Sequence, residues 1–119
     1  MTTQVLFRPL QLGALKLPNR FVMAPLTRMR AAPGGLATAL MAEYYRQRAT
    51  AGVIITEGTA ISTQAHGYPS SPGIYTPEQI AAWRIVTDQV HKVDGSQVCI
   101  TALSFSRPPP VLEWGRSRD

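Results

Sequence analysis

The sequence predicts an α/β fold on a growing parallel sheet, and three observations carry that prediction. Apolar runs of strand character fall at 20–27, 53–56 and 97–102. Segments with apolar residues at helical spacing separate them, at 38–51 and 76–93. Gly or Pro punctuates the junctions. Strand, helix, strand, helix, strand is the rhythm of βαβ units, whose right-handed crossovers lay successive strands side by side.

Ahead of that rhythm, residues 5–18 alternate apolar and polar around Leu10, Leu12 and Gly13 and stop at Pro18, which reads as a short hairpin. Residues 20–27 (Arg-Phe-Val-Met-Ala-Pro-Leu-Thr) are mostly apolar, the mark of a central strand covered on both faces and ended by Pro25. After Gly34-Gly35, Leu40, Met41, Tyr44, Tyr45 and Arg48 recur at helical spacing, and Gly52 stands where a helix C-terminal Gly belongs. Val53–Thr56 is β-branched and short, a buried strand. Residues 62–75 form a long irregular loop rich in Ser, Thr, Gly and Pro. Thr76-Pro77-Glu78-Gln79 then offers an N-cap hydroxyl, Pro at the first helical position and Gln at the capping-box position. Ile80, Trp83, Val86, Val90 and Val93 carry the helix to Asp94-Gly95, and a third strand begins at Gln97. Residues 106–119, with three consecutive prolines and no periodicity, read as a disordered tail.

Composition narrows the function classes. A chain of 119 residues that is 45% hydrophobic and 16% charged suits one folded domain of modest core. Twelve Lys and Arg against seven Asp and Glu give a net charge of +5, but the Arg are scattered from Arg8 to Arg118, so no basic stripe marks a nucleic-acid site. Cys99 is the only cysteine, which excludes an internal disulfide and any multi-thiolate metal cage and makes a reducing compartment the default. No apolar run nears the roughly 20 residues that span a bilayer, and the first residues lack the features of a secretory leader. These features point to a cytoplasmic protein with no membrane partner.

Chemistry is expected at the C-terminal ends of the parallel strands, which read Ala24-Pro25-Leu26-Thr27 and Glu57-Gly58-Thr59-Ala60. Small residues let backbone amides approach a flat ring, and a Thr hydroxyl can hydrogen-bond its edge; ordinary turn residues would look the same. His66 and His91 have no acid or Cys at ligand spacing and read as solvated or structural. Trp83, Tyr44 and Tyr45 read as helix core, and Cys99 as an inert strand residue.

Leu6-Phe7-x-Pro9-Leu10, Pro18-Asn19-Arg20-x-x-Met23-Ala24-Pro25-Leu26-Thr27-Arg28, Tyr44-Tyr45-x-Gln47-Arg48-Ala49 and Thr56-Glu57-Gly58-Thr59-x-Ile61-Ser62 follow one another in fixed order. Gly67-Tyr68, Pro72-Gly73-Ile74 and Pro77-Glu78-Gln79-Ile80-x-x-Trp83 continue the series. From about residue 5 to residue 98 the chain resembles the old yellow enzyme family, the FMN-dependent ene-reductases, in its N-terminal part. The resemblance implies the first portion of a (β/α)8 TIM barrel: a bottom hairpin, about three parallel strands and two helices over residues 1–105, with 106–119 outside the family pattern. It implies that Pro25, Leu26 and Thr27 lie against FMN, the Thr27 hydroxyl near the flavin carbonyl. Gly58 would add a backbone contact, and Tyr68 would border the substrate cavity above the flavin. The family takes reducing equivalents from NAD(P)H and delivers hydride to the β-carbon of a small activated alkene such as an enone.

The chain departs from the pattern in its third strand, where Ile100-Thr101-Ala102-Leu103-Ser104-Phe105 replaces the family's Gln-Leu-Trp-His run. The His/Asn or His/His pair that binds the substrate carbonyl, the Tyr proton donor and the FMN phosphate segment are not found in these residues, as though the barrel were cut after about its third strand. No catalytic residue is therefore assigned. Such a fragment is expected to hold FMN weakly or not at all, and to self-associate through open sheet edges. The alternatives are a non-catalytic fragment or interaction module and, last, a small basic nucleic-acid-binding module. Thr-Ala-Leu-Ser-Phe read one base later can encode Gln-Leu-x-His, so a shifted frame would explain the divergence, as would an intron read through or a missed splice junction; on the first explanation the nucleotide sequence across codon 100 is expected to encode Gln-Leu-x-His in that frame. A genomic sequence that encodes no such run in any frame contradicts that explanation.

Overall fold

A computed structural model describes residues 3–93 and 96–104. The chain runs through α1 (Thr3–Leu6), β1 (Leu10–Leu12), β2 (Leu15–Leu17), β3 (Val22–Met23), α2 (Ala39–Arg46), β4 (Val53–Ala60), α3 (Pro77–His91) and β5 (Gln97–Leu103). β1 and β2 pair antiparallel, Leu10 opposite Leu17. Gly13 turns the hairpin at a φ of 58°, a conformation that suits glycine. The residues just before the hairpin are helical in α1 rather than extended.

The remaining strands form one parallel sheet in the order β3-β4-β5. This is part of a (β/α)8 barrel: among the described residues the sheet has two open edges and does not close. β4 is the central strand, and its burial does not alternate, as expected for a strand covered on both faces. It extends four residues past the β-branched run, to Ala60, through a bulge between Ile55 and Gly58. The expectation of a central strand over 20–27 is corrected. Only Val22 and Met23 pair with β4, and Val22 is 57% exposed at the sheet edge. No strand covers its far side among the described residues, and Pro25 has no N–H to extend the ladder.

Thr38 caps α2, its hydroxyl accepting from the Met41 N–H at 3.2 Å. Met41, Ala42 and Tyr45 face inward, whereas Leu40, expected on the same stripe, is 65% exposed. The α-helix stops at Arg46, short of Ala51, and turns carry the chain to β4. Gly52 is no left-handed cap: its φ is not positive. Its requirement is close approach, because a Cβ there would collide with the Asn19 carbonyl oxygen.

The α3 capping box forms as the sequence predicts, with Thr76 and Gln79 exchanging bonds. Gln79 also reaches out of its own helix, donating to the Gly34 carbonyl at 2.9 Å. It is buried, and Ile80 is exposed in its place, a correction to the expected stripe. The helix ends at His91; Asp94-Gly95 and the 106–119 tail lie outside the described residues. Trp83, Val86 and Val90 of α3 meet Met41, Ala42 and Tyr45 of α2 over Ile54 of β4, and this is the core.

Gly52→Ala is expected to cost about 1–3 kcal/mol of stability by overpacking, measurable as a lower urea midpoint. An unchanged midpoint would mean the Asn19 segment moves freely aside.

Candidate functional site

The C-terminal ends of β3 and β4 converge. The Thr27 hydroxyl lies 3.9 Å from where a Gly58 Cβ would stand. Residues 24–27 are exposed, Leu26 by 56%, and Gly58 is half-buried. A Cβ added at Gly58 would sit 2.7 Å from Leu103 Cδ1, so the tip of that side chain would have to swing aside. The result is a hydroxyl, able to donate or accept, beside a strand residue that carries no Cβ.

Behind this surface lies an interaction that sequence reasoning missed. Glu57 is buried, 1% exposed, one residue before Gly58. The Tyr45 hydroxyl donates to its Oε1 at 3.0 Å and accepts from its backbone N–H at 3.1 Å. The backbone N–H of Arg28 donates to Oε2 at 3.4 Å. Burial pushes the Glu57 carboxyl above its ordinary value, while the bonds from Tyr45 and Arg28 and the Arg28 charge pull it back. Burial also raises the Tyr45 phenol, so it remains a protonated donor at neutral pH. The sequence signal was an acid inside an apolar strand run, which demands partners.

Tyr44, expected as core, is only half-buried and takes two guanidinium groups on its ring: Arg48 at 3.9 Å and Arg28 at 4.5 Å from the centroid. Tyr68 is 42% exposed and lines a different depression, with His66, Gly34, Gly35 and Tyr75. None of Pro25, Leu26, Thr27 or Gly58 lines that depression. His66 is held within the loop, one ring nitrogen 2.9 Å from Ser71 Oγ and the other 2.9 Å from the Tyr75 hydroxyl. Cys99 is exposed on β5.

The family model of the NADH:flavin oxidoreductase / NADH oxidase family matches residues 5–108. The chain belongs to that family. The match extends beyond residue 98, where the motif resemblance ends, across the divergent third-strand segment. Chanoclavine-I aldehyde reductase fgaOx3 of Penicillium roqueforti (strain FM164) is 46% identical over 112 residues, which are 91% of this chain and 30% of that protein. Two solved structures superpose well. Morphinone reductase in complex with tetrahydroNAD is 48% identical with a TM-score of 0.78, over 83% of this chain and 27% of the other. The old yellow enzyme homologue from Zymomonas mobilis is 44% identical with a TM-score of 0.81, over 86% and 28%. The chain thus spans about 30% of the length of its curated relatives. Among the described residues no helix is long and apolar enough to cross a membrane, and no cluster of His, Cys, Asp and Glu could hold a metal.

The raised Glu57 pKa fixes a pH dependence. Between the unfolded value, about 4.3, and the higher folded value, the native state binds the extra proton, so Glu57 makes stability fall as pH rises through that window. Glu57→Gln is expected to flatten that fall in urea titrations at pH 4–7. Identical pH profiles for the two proteins would contradict it.

Proposed function

We propose that Pro25, Leu26, Thr27 and Gly58 form one wall of an FMN site, in an NAD(P)H-dependent oxidoreductase that reduces small activated alkenes such as enones. The observation that carries this reading is the meeting of the Thr27 hydroxyl and the Gly58 backbone at the C-terminal ends of adjacent parallel strands. Family membership and the likeness to morphinone reductase bound to tetrahydroNAD support it. The chemistry a bound FMN supplies is hydride transfer, from the nicotinamide to the β-carbon of the alkene. The residues of this chain would orient and tune: Thr27 hydrogen-bonds the ring's carbonyl edge, Pro25 and Leu26 pack on the ring, Gly58 lets the ring approach the strand, and Tyr68 borders the substrate. A cytoplasmic address suits a protein with an exposed thiol.

The described residues supply one wall of this site, and one wall alone would hold FMN weakly. A second reading, a non-catalytic piece that self-associates, is favoured by the exposed Val22 at one sheet edge and the exposed Leu103 on the strand at the other.

Titration of isotope-labelled protein with FMN is expected to move the amide signals of Leu26, Thr27 and Gly58, with Thr27→Ala weakening the response several-fold. No shifts, or shifts centred elsewhere, would overturn the assignment.

A further inference from the structure

We propose that Glu57, aligned by Tyr45, is a positioning residue that holds the Thr27 hydroxyl beside the Gly58 backbone; its consequence for ligand binding rests on the flavin-wall reading above. β3 leaves the ladder after Met23. Among the described residues, the next hydrogen bond that ties this segment to β4 is the one from the Arg28 N–H to Glu57 Oε2. It acts one residue after Thr27 and one residue before Gly58, so it sets the spacing between the two strand ends.

The bulge makes this geometry available. Between Ile55 and Gly58 the β4–β5 register shifts, and there the Thr101 N–H donates to the Thr56 hydroxyl at 3.0 Å. At that irregularity Glu57 turns to α2, where Tyr45 is packed in the core with Trp83, ring centroids 6.1 Å apart. A carboxylate accepting at both oxygens has its rotamer fixed from two sides. Arg28 is gripped a second time through its guanidinium on Tyr44, the residue adjoining Tyr45. Arg30 and Glu43 line the same shallow cavity as Arg28, Tyr44 and Glu57 and complete the charged surroundings.

The test uses Tyr45→Phe, Glu57→Ala and Glu57→Gln in the 119-residue chain, with two readouts from solution NMR. In the free protein, Tyr45→Phe and Glu57→Ala are expected to lower Arg28 amide protection about tenfold and to abolish the nuclear Overhauser contact between the Thr27 side chain and Gly58. The Ile55 and Cys99 amides of the β4–β5 ladder keep their protection, and Glu57→Gln, which retains an acceptor, restores the Thr27–Gly58 contact. An unchanged contact in Tyr45→Phe and Glu57→Ala overturns the proposal, as does parallel loss of the ladder amides, which would make Glu57 merely structural. Should Glu57→Ala fail to fold, Tyr45→Phe decides alone. FMN added to the same proteins separates the two claims. If no protein responds to FMN while the contact is lost as expected, the flavin reading falls and the positioning role stands. If FMN shifts Thr27 equally in wild type and Glu57→Ala, Glu57 has no consequence for the ligand.

Discussion

A carboxylate taken out of water costs several kcal/mol unless its lone pairs are filled, and the Glu57 carboxyl has them filled by two partners from separate elements. That requirement draws together parts of the chain with little else in common. Tyr45 brings α2, Arg28 brings the segment after β3, and Glu57 itself sits on the central strand. Remove the phenol and the acid loses a donor while its own backbone N–H loses an acceptor. The apolar core of Trp83, Val86, Val90, Met41 and Ile54 packs the helices on the sheet without directional bonds. The buried acid, demanding specific geometry, is what fixes the strand ends to each other.

Polar bonds of the same kind recur wherever loops must lie on the helices. Gln79 caps its helix and holds the Gly34 carbonyl, and Trp83 donates through its indole nitrogen to the Gly73 carbonyl at 3.2 Å. Ser96 ties the start of β5 to the Ala51 carbonyl at 2.8 Å. The Gln79–Gly34 and Ser96–Ala51 bonds each join residues 45 apart, and all of these bonds leave the C-terminal strand ends open, as a binding surface requires.

The βαβ rhythm was legible because apolar periodicity and capping chemistry agree: Thr76-Pro77-Glu78-Gln79 specified a helix start that the structure reproduces atom for atom. The long strand expected over 20–27 was not, because apolar character reports burial in a complete sheet, whereas pairing here ends at Met23. Leu40 and Ile80 match helical spacing yet face outward, since which face is covered depends on the partners each helix finds. The closeness of Thr27 to Gly58 was not legible either, because pairing of their strands ends at Met23 and the next tie between them is the bond from the Arg28 N–H to Glu57. Glu57 could not be given a role, because its partners Tyr45 and Arg28 lie 12 and 29 residues away and only the fold joins them.

The account turns on whether Tyr45 and Glu57 act as a unit. A double-mutant cycle with Tyr45→Phe, Glu57→Ala and the pair, followed by urea unfolding, measures that directly. The structure predicts a coupling energy of about 1–3 kcal/mol, the combined variant losing less than the sum of its parts. Additive losses would contradict it, and would leave the strand ends to be held by apolar packing alone.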